Sequence, residues 1–199
     1  MTMFRTVLWT AVVILSGILI WLTLEVTRSK QEISEAPFGV PFQLVSQTGQ
    51  PITEKAFQDK PTALFFGFTH CPEVCPTTLF ELNGWLHEVD PDGTKLNAYF
   101  ISVDPERDTP ELLGQYVSNV TDRVKGISGA PDKVLEMVKG FKVYAKKVPV
   151  NEKDPNGDYT MDHTASVFLL KDGGRFAGTI AYGEDPATAV KKLDNLIKG

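Results

Sequence analysis

The feature that most constrains the fold is a continuous apolar run followed, after a short interval, by a helical pattern. Thr62–Phe68 contains no charged residue, which is typical of a strand buried on both faces of a sheet. From Pro76 to Val89 large apolar residues recur at helical spacing, and a proline is well placed in the first turn of a helix. Both cysteines of the chain, Cys71 and Cys75, lie between these segments. Thiols that merely fill a core need no such paired placement, so this junction is the first candidate for a functional site.

The order of the other elements predicts an α/β fold. After residue 37, extended and helical patterns follow one another as β-β-β-α-β-α-β-α-β-β-α, which indicates a sheet with a parallel start and an antiparallel end. A cysteine pair where the first long buried strand meets its helix is also the layout of thioredoxin-like folds. The predicted strands are 42–46, 49–53, 62–68, 96–103, 124–127, 164–170 and 175–182; the predicted helices are 76–89, 108–117, 131–139 and 185–197; 141–148 is extended.

The N-terminal segment predicts a single transmembrane helix. Thr6–Leu24 is free of charge and close to the roughly 20 apolar residues that span a bilayer. A cleaved signal peptide is the rival interpretation, but no small-residue cleavage site follows the run. We therefore expect a membrane anchor and flank over residues 1–27, a linker over 28–37 and one domain over 38–199. Basic residues flank the run on both sides, so the charge count does not decide its orientation.

Composition excludes several classes of function. The chain has 20 basic and 25 acidic residues, a net charge of −5, which argues against a nucleic-acid-binding protein. A hydrophobic content of 42% excludes a disordered chain, and two cysteines cannot form a disulfide-rich scaffold.

The cysteine pair allows three kinds of chemistry: a reversible disulfide, a soft metal site, or a nucleophile with a base. Cys75 is expected at the helix cap and Cys71 just before it, where the helix dipole favours thiolates, so the pKa of both thiols is expected to be lowered. Structural zinc requires four ligands, which are not evident here, whereas two thiolates and one imidazole suit copper as Cu(I) or Cu(II). The histidines are His70, beside Cys71; His87, expected on the surface; and His163, which taken alone is more often a structural residue than a ligand.

Three segments together resemble the SCO/SenC family of copper-binding cytochrome c oxidase assembly proteins. They are Phe66–Leu79 (FGFTHCPEVCPTTL), Ser102–Leu112 (SVDPERDTPEL) and Tyr159–His163 (YTMDH). The resemblance implies a thioredoxin-like fold with an added β-hairpin and copper bound by Cys71, Cys75 and His163.

The same resemblance implies a function and a location. The chain would be a copper chaperone that assists assembly of the dinuclear copper centre in cytochrome c oxidase subunit II, or in a similar copper-site protein. It would be anchored in the inner membrane by one span, with its soluble domain in the periplasm. A thioredoxin-like reductant or another copper chaperone would be a further partner, since exposed thiols outside the cytoplasm tend to oxidise.

Other interpretations stay open on the residues alone. The pair could reduce a disulfide in the target, as in a thiol-disulfide oxidoreductase; a thioredoxin-type peroxidase fits the Pro-rich cysteine segment poorly. Asp104 and Arg107 could face the metal loop or a partner. Helix capping accounts for Asp108 and Thr109. Two further carboxylates, Glu73 and Asp162, are expected to be solvated, unless Asp162 orients the neighbouring histidine.

Overall fold

The structure is a computed structural model that describes residues 2–154 and 157–199, in two compact units that divide after Ala36. The first unit is helix α1 (Thr2–Glu35), which over Met3–Arg28 is long and apolar enough to cross a membrane. The predicted N-terminal apolar helix is therefore confirmed. The helix continues to Glu35, so most of the segment 28–37 has a helical backbone. The role of this segment as a linker stays a prediction.

The second unit has the predicted α/β architecture. Its described residues form two short 3-10 helices, Glu54–Phe57 and Asp172–Gly174, besides the main elements. The strands are β1 (Gln43–Ser46), β2 (Pro51–Thr53), β3 (Thr62–Gly67), β4 (Asn97–Ser102), β5 (Lys125–Ser128), β6 (Ala145–Pro149), β7 (Tyr159–His163), β8 (Ser166–Leu170) and β9 (Phe176–Ala181); the helices are α2 (Val74–Val89), α3 (Pro110–Ser118), α4 (Pro131–Gly140) and α5 (Pro186–Lys198).

Seven of these strands form one mixed sheet in the order β2-β1-β5-β4-β3-β8-β9. Strands β3, β4 and β5 are parallel, whereas β1, β8 and β9 pair in the antiparallel sense with their neighbours. Every residue of β3 is buried, so this central strand is covered on both faces, as its continuous apolar sequence predicts. Its carboxyl end delivers the chain to the cysteine segment.

The remaining two strands, β6 and β7, form a separate antiparallel hairpin, in which Ala145 pairs with His163. This hairpin corresponds to the added β-hairpin that the family resemblance implies. Local pattern does not predict strand β7, because its five residues are mostly polar and only Met161 is buried. The strand exists because β6 supplies its hydrogen-bonding partner and Met161 packs into the core.

Helix α2 begins earlier than its sequence predicts. It starts at Val74 rather than Pro76, so Cys75 lies within the first turn instead of at the cap, and Glu73 is the capping residue. The helix buries Leu79, Leu82 and Leu86 against the sheet side of the core and contacts α5. This packing fixes the position of Cys75, which is fully buried.

Candidate copper site

The cysteine loop folds back on itself at the carboxyl end of β3. The backbone N–H of Cys71 donates to the carbonyl of Phe68 at 3.3 Å, and the backbone N–H of Cys75 donates to Sγ of Cys71 at 3.3 Å. Cys71 is half-buried and Cys75 is buried, and both are free thiols. One sulfur therefore faces solvent and the other faces the core.

His163, at the end of β7, completes a cluster with these sulfurs. Its Nε2 lies 3.7 Å from Sγ of Cys75, and its Nδ1 lies 3.1 Å from the carbonyl oxygen of Thr164. A carbonyl only accepts, so Nδ1 carries the ring proton in the neutral imidazole and the Nε2 lone pair is directed at the cysteine pair. The ring of Phe68 meets the imidazole edge-to-face at 5.7 Å, and that of Phe65 lies 6.4 Å away.

Gly67 makes room for the buried thiol. A Cβ atom at this position would lie 2.9 Å from Sγ of Cys75 and 2.8 Å from the ring of Phe100. Carbon atoms do not approach this closely without strain, so a side chain here would displace the sulfur or the ring. The glycine that ends β3 is thus a packing requirement of the site, which its sequence context does not reveal.

The two thiols have opposite acidities. The hydrogen bond from Cys75 lowers the pKa of Cys71 from 9.0 to about 4; burial opposes this effect, while the backbone N–H groups of the loop reinforce it. The pKa of Cys75 is raised by the same hydrogen bond and by burial. The expectation that both thiols ionise easily is therefore wrong for Cys75, because the pair shares one proton and the buried sulfur keeps it.

Asp108 holds the start of the cysteine loop. This buried carboxylate accepts the Thr69 hydroxyl at 2.6 Å, the Thr69 backbone N–H at 3.1 Å and the Ser102 hydroxyl at 2.7 Å. Only Thr109 caps helix α3, by accepting from the N–H of Leu112 at 3.2 Å. Capping therefore explains Thr109 but not Asp108, and the correction follows from the burial of Asp108 beside the site.

Asp104 and Arg107 face the histidine strand. Asp104 is buried and paired with Arg107, and both contact Tyr159 at the start of β7. The sequence indicates Asp104 and Arg107 but not their contact with Tyr159, because only the fold brings residues 104 and 159 together. The one sequence signal for Tyr159 is that it lies four residues before His163 in the same short segment.

The remaining polar candidates lie outside the cluster. Nδ1 of His70 lies 3.0 Å from the Thr69 hydroxyl, and His87 is half-exposed with its Nε2 3.6 Å from Asp122. Glu73 and Asp162 are exposed, as expected of solvated carboxylates. Asp162 does not orient His163, since consecutive strand residues point to opposite faces.

The donor set fits a soft metal better than a hard one. Two sulfurs and one imidazole nitrogen lie together, and Cu(I) and Cu(II) accept this combination. Within the described residues, no three His, Cys, Asp or Glu side chains already form a complete metal-ligand cluster. Sharing one ion between His163 and the two cysteines would therefore require their side chains to rotate from these positions. Structural zinc lacks its fourth ligand in this set.

The fold and site define a thioredoxin-like protein in which a cysteine pair lies beside a histidine that is distant in the sequence. The family model described as SCO1/SenC matches residues 30–198, and the chain belongs to this family. The structure resembles that of Bradyrhizobium japonicum ScoI with copper bound, at 45% identity and a TM-score of 0.72, covering 80% of this chain and 99% of that one. Yeast Sco1 with copper bound is similar at 32% identity and a TM-score of 0.73, covering 82% of this chain and 90% of that one.

A curated relative is Protein SCO2, mitochondrial, of Saccharomyces cerevisiae, which is 37% identical over 161 residues. The match covers 80% of this chain and 53% of the yeast protein. The chain therefore spans about half the length of that relative.

Proposed function

We propose that this chain is a membrane-anchored copper chaperone that assists assembly of the dinuclear copper centre of cytochrome c oxidase. Copper is its cargo, held by the thiolates of Cys71 and Cys75 and by Nε2 of His163. The observation that carries the proposal is the 3.7 Å approach of His163 to Cys75, beside a second sulfur with a low pKa. The copper-bound structures of related proteins support the same metal.

The half-buried Cys71 suits a carrier that must release its cargo. Copper passes to a target by ligand exchange, in which an incoming thiolate or imidazole replaces one ligand at a time. A ligand at the surface permits that attack, whereas a fully enclosed site would prevent it. The recipient in this proposal is cytochrome c oxidase subunit II or a similar copper-site protein.

The redox state of the pair controls loading. Oxidation joins the two sulfurs as a Cys71–Cys75 disulfide, releases the one proton that the pair holds and passes two electrons to an oxidant, and thereby removes both thiolate ligands. Thiols outside the cytoplasm tend to oxidise, so a thiol reductant is part of the proposal. Helix α1 would anchor the chain in the inner membrane, with the soluble domain in the periplasm.

A second candidate function is reduction of the target's copper-site cysteines, which the low pKa of Cys71 favours. The Cys71 thiolate would attack a target disulfide and form a mixed disulfide. Cys75 would then lose its proton and displace the target, which leaves the Cys71–Cys75 disulfide and two reduced target cysteines, one as a thiol and one as a thiolate. This reaction does not require His163.

An anaerobic copper titration of the reduced full chain in detergent micelles tests the proposal. We expect one copper per chain in the wild type, loss of tight binding in Cys75→Ser and weakened Cu(II) binding in His163→Ala. His87→Ala, at a histidine remote from the cysteine pair, is the matched control and should bind like the wild type. Wild-type copper affinity in His163→Ala, together with disulfide reductase activity, would favour the second candidate instead.

A further inference from the structure

The position of the histidine strand is set by side chains. In the described residues, β6 and β7 pair as strands only with each other, and neither strand is part of the seven-stranded sheet. No ladder therefore fixes the distance between His163 and the cysteines. Side-chain contacts must therefore hold the hairpin against the rest of the domain. In β7, Met161 is buried and Tyr159 is half-buried.

Tyr159 is attached to the loop between β4 and α3, residues 103–109. Its hydroxyl donates to Oδ1 of Asp104 at 2.8 Å, and its carbonyl accepts from Nη1 of Arg107 at 2.9 Å. The guanidinium carbon of Arg107 lies 3.8 Å from the centre of the phenol ring, and Nζ of Lys147 lies 4.6 Å from it. Burial, followed by the hydrogen bond to Asp104, raises the pKa of Tyr159 to about 12, so the hydroxyl remains a donor.

The opposite end of the same loop is attached to the cysteine loop. Asp108 accepts both the backbone N–H and the hydroxyl of Thr69, two residues before Cys71. Within the loop, the N–H of Asp108 donates to the carbonyl of Asp104 at 2.9 Å, and that of Asp104 donates to the Ser102 hydroxyl at 3.0 Å. The two anchoring carboxylates thus belong to one hydrogen-bonded turn.

We propose that the β4–α3 loop is a positioning element that holds the two ligand-bearing segments at a fixed separation. Asp108 fixes the cysteine loop, and Asp104 with Arg107 fixes the strand that ends in His163. Tyr159 acts on copper through His163 and is not itself a ligand. The copper part of this proposal rests on the proposed function, whereas the geometric part concerns the apo protein alone.

The geometric part is tested by NMR on the reduced apo full chain in detergent micelles. The chain has three histidines, so the imidazole resonances can be assigned from His→Gln variants. Tyr159→Phe removes one hydroxyl and keeps the ring under Arg107. We expect it to shift and broaden the His163 resonance and to weaken its NOEs to Phe68, while His87 is unchanged. Tyr144→Phe, which removes an exposed hydroxyl next to β6 of the same hairpin, is the matched control and should leave His163 as in the wild type.

The copper part is tested by a double-mutant cycle. Tyr159→Phe should weaken Cu(II) binding by about 10–100-fold, the usual effect of removing a group that orients a metal ligand. Cu(I), which two thiolates satisfy, should be affected much less. In a His163→Ala background, Tyr159→Phe should cause no further loss, because the residue through which it acts is gone.

Each outcome decides one part. Unchanged His163 resonances and NOEs in both Tyr159→Phe and the second variant, Asp104→Asn, would overturn the positioning role. Equal Cu(II) losses with and without His163 would overturn the claim that Tyr159 acts through that ligand. If the wild type binds no copper while Tyr159→Phe still displaces His163, the proposed function fails and the positioning role stands.

Discussion

Nε2 of His163 lies 3.7 Å from Sγ of Cys75, although 88 residues separate them in the chain. The histidine arrives on a polar hairpin and the cysteine on the first turn of a buried helix, so each is held by a different part of the fold. The contact brings a nitrogen lone pair to a sulfur whose partner, Cys71, ionises readily. This arrangement has consequences for reactivity, stability and packing that can be measured.

The two cysteines should differ in reactivity. Because the pKa of Cys71 is lowered to about 4, its alkylation by iodoacetamide should already be near its plateau at about pH 6, while the buried Cys75 reacts slowly. Rates at each sulfur can be followed by mass spectrometry of the reduced protein. In Cys75→Ala the donated hydrogen bond is lost, and the Cys71 midpoint should move up towards 9.0. Equal rates at both cysteines would contradict this prediction.

The stability of the reduced protein should depend on pH through the same pair. The lowered pKa of Cys71 contributes stability that is fully present above its unfolded value of 9.0 and is lost as pH falls towards about 4. The raised pKa of Cys75 acts in the opposite sense, since its contribution is present below 9.0 and lost at higher pH. The stability difference between wild type and Cys71→Ala should therefore grow from about pH 4 to about pH 8 in denaturant unfolding. A difference that does not change over this range would show that Cys71 keeps an ordinary pKa.

Gly67→Ala should destabilise the protein and disturb the site. The new Cβ would overlap Cys75 and Phe100, and overpacking of this kind typically costs about 1–3 kcal/mol. Gly84→Ala is the matched control, because a Cβ there meets nothing within 4 Å on helix α2. That variant should be more stable by about 0.5–1 kcal/mol, the helical preference for alanine over glycine. Similar unfolding free energies for both variants would exclude close packing at Gly67.

Asp108→Asn should loosen the cysteine loop. The amide retains one acceptor oxygen in place of the carboxylate that serves Thr69 and Ser102, so a buried donor loses its partner at a cost of about 1–3 kcal/mol. We expect faster hydrogen exchange at the Thr69 amide. The comparison is Asp90→Asn, since Asp90 is likewise a buried carboxylate and accepts the backbone N–H groups of Thr94, Lys95 and Leu96 elsewhere in the fold. It should lower stability without changing exchange at Thr69; loss of protection there in both variants would indicate a general effect.

Helix α1 should retain the protein in the membrane with its carboxyl end outside the cytoplasm. Alkaline phosphatase fused after Gly199 in a bacterial host should be active, because this enzyme matures only after export, and deletion of residues 1–27 should release the domain from the membrane fraction. A fluorescent protein that folds only in the cytoplasm is the complementary fusion. Fluorescence from that fusion with an inactive phosphatase fusion would reverse the proposed orientation.

Local patterns predicted most of the fold. The buried strand β3, the helical spacing after Pro76 and the alternation of strands and helices depend on neighbours within a few residues, so the chain itself reports them. Strand β7 could not be predicted in this way, because its partner β6 and the core around Met161, rather than its own composition, make it a strand.

The sequence by itself determined that the two sulfurs are neighbours and where in the fold they lie, since Cys71 and Cys75 fall within five consecutive residues at a strand-to-helix junction. Tertiary structure alone decided the rest. It brought His163 to Cys75 and gave the two thiols opposite acidities. It also placed the Asp108 carboxylate against Thr69, where it accepts hydrogen bonds from the cysteine loop instead of capping helix α3. The physical reason is that proximity across 88 residues, burial and hydrogen-bond partners are properties of the packed chain, which no short segment contains.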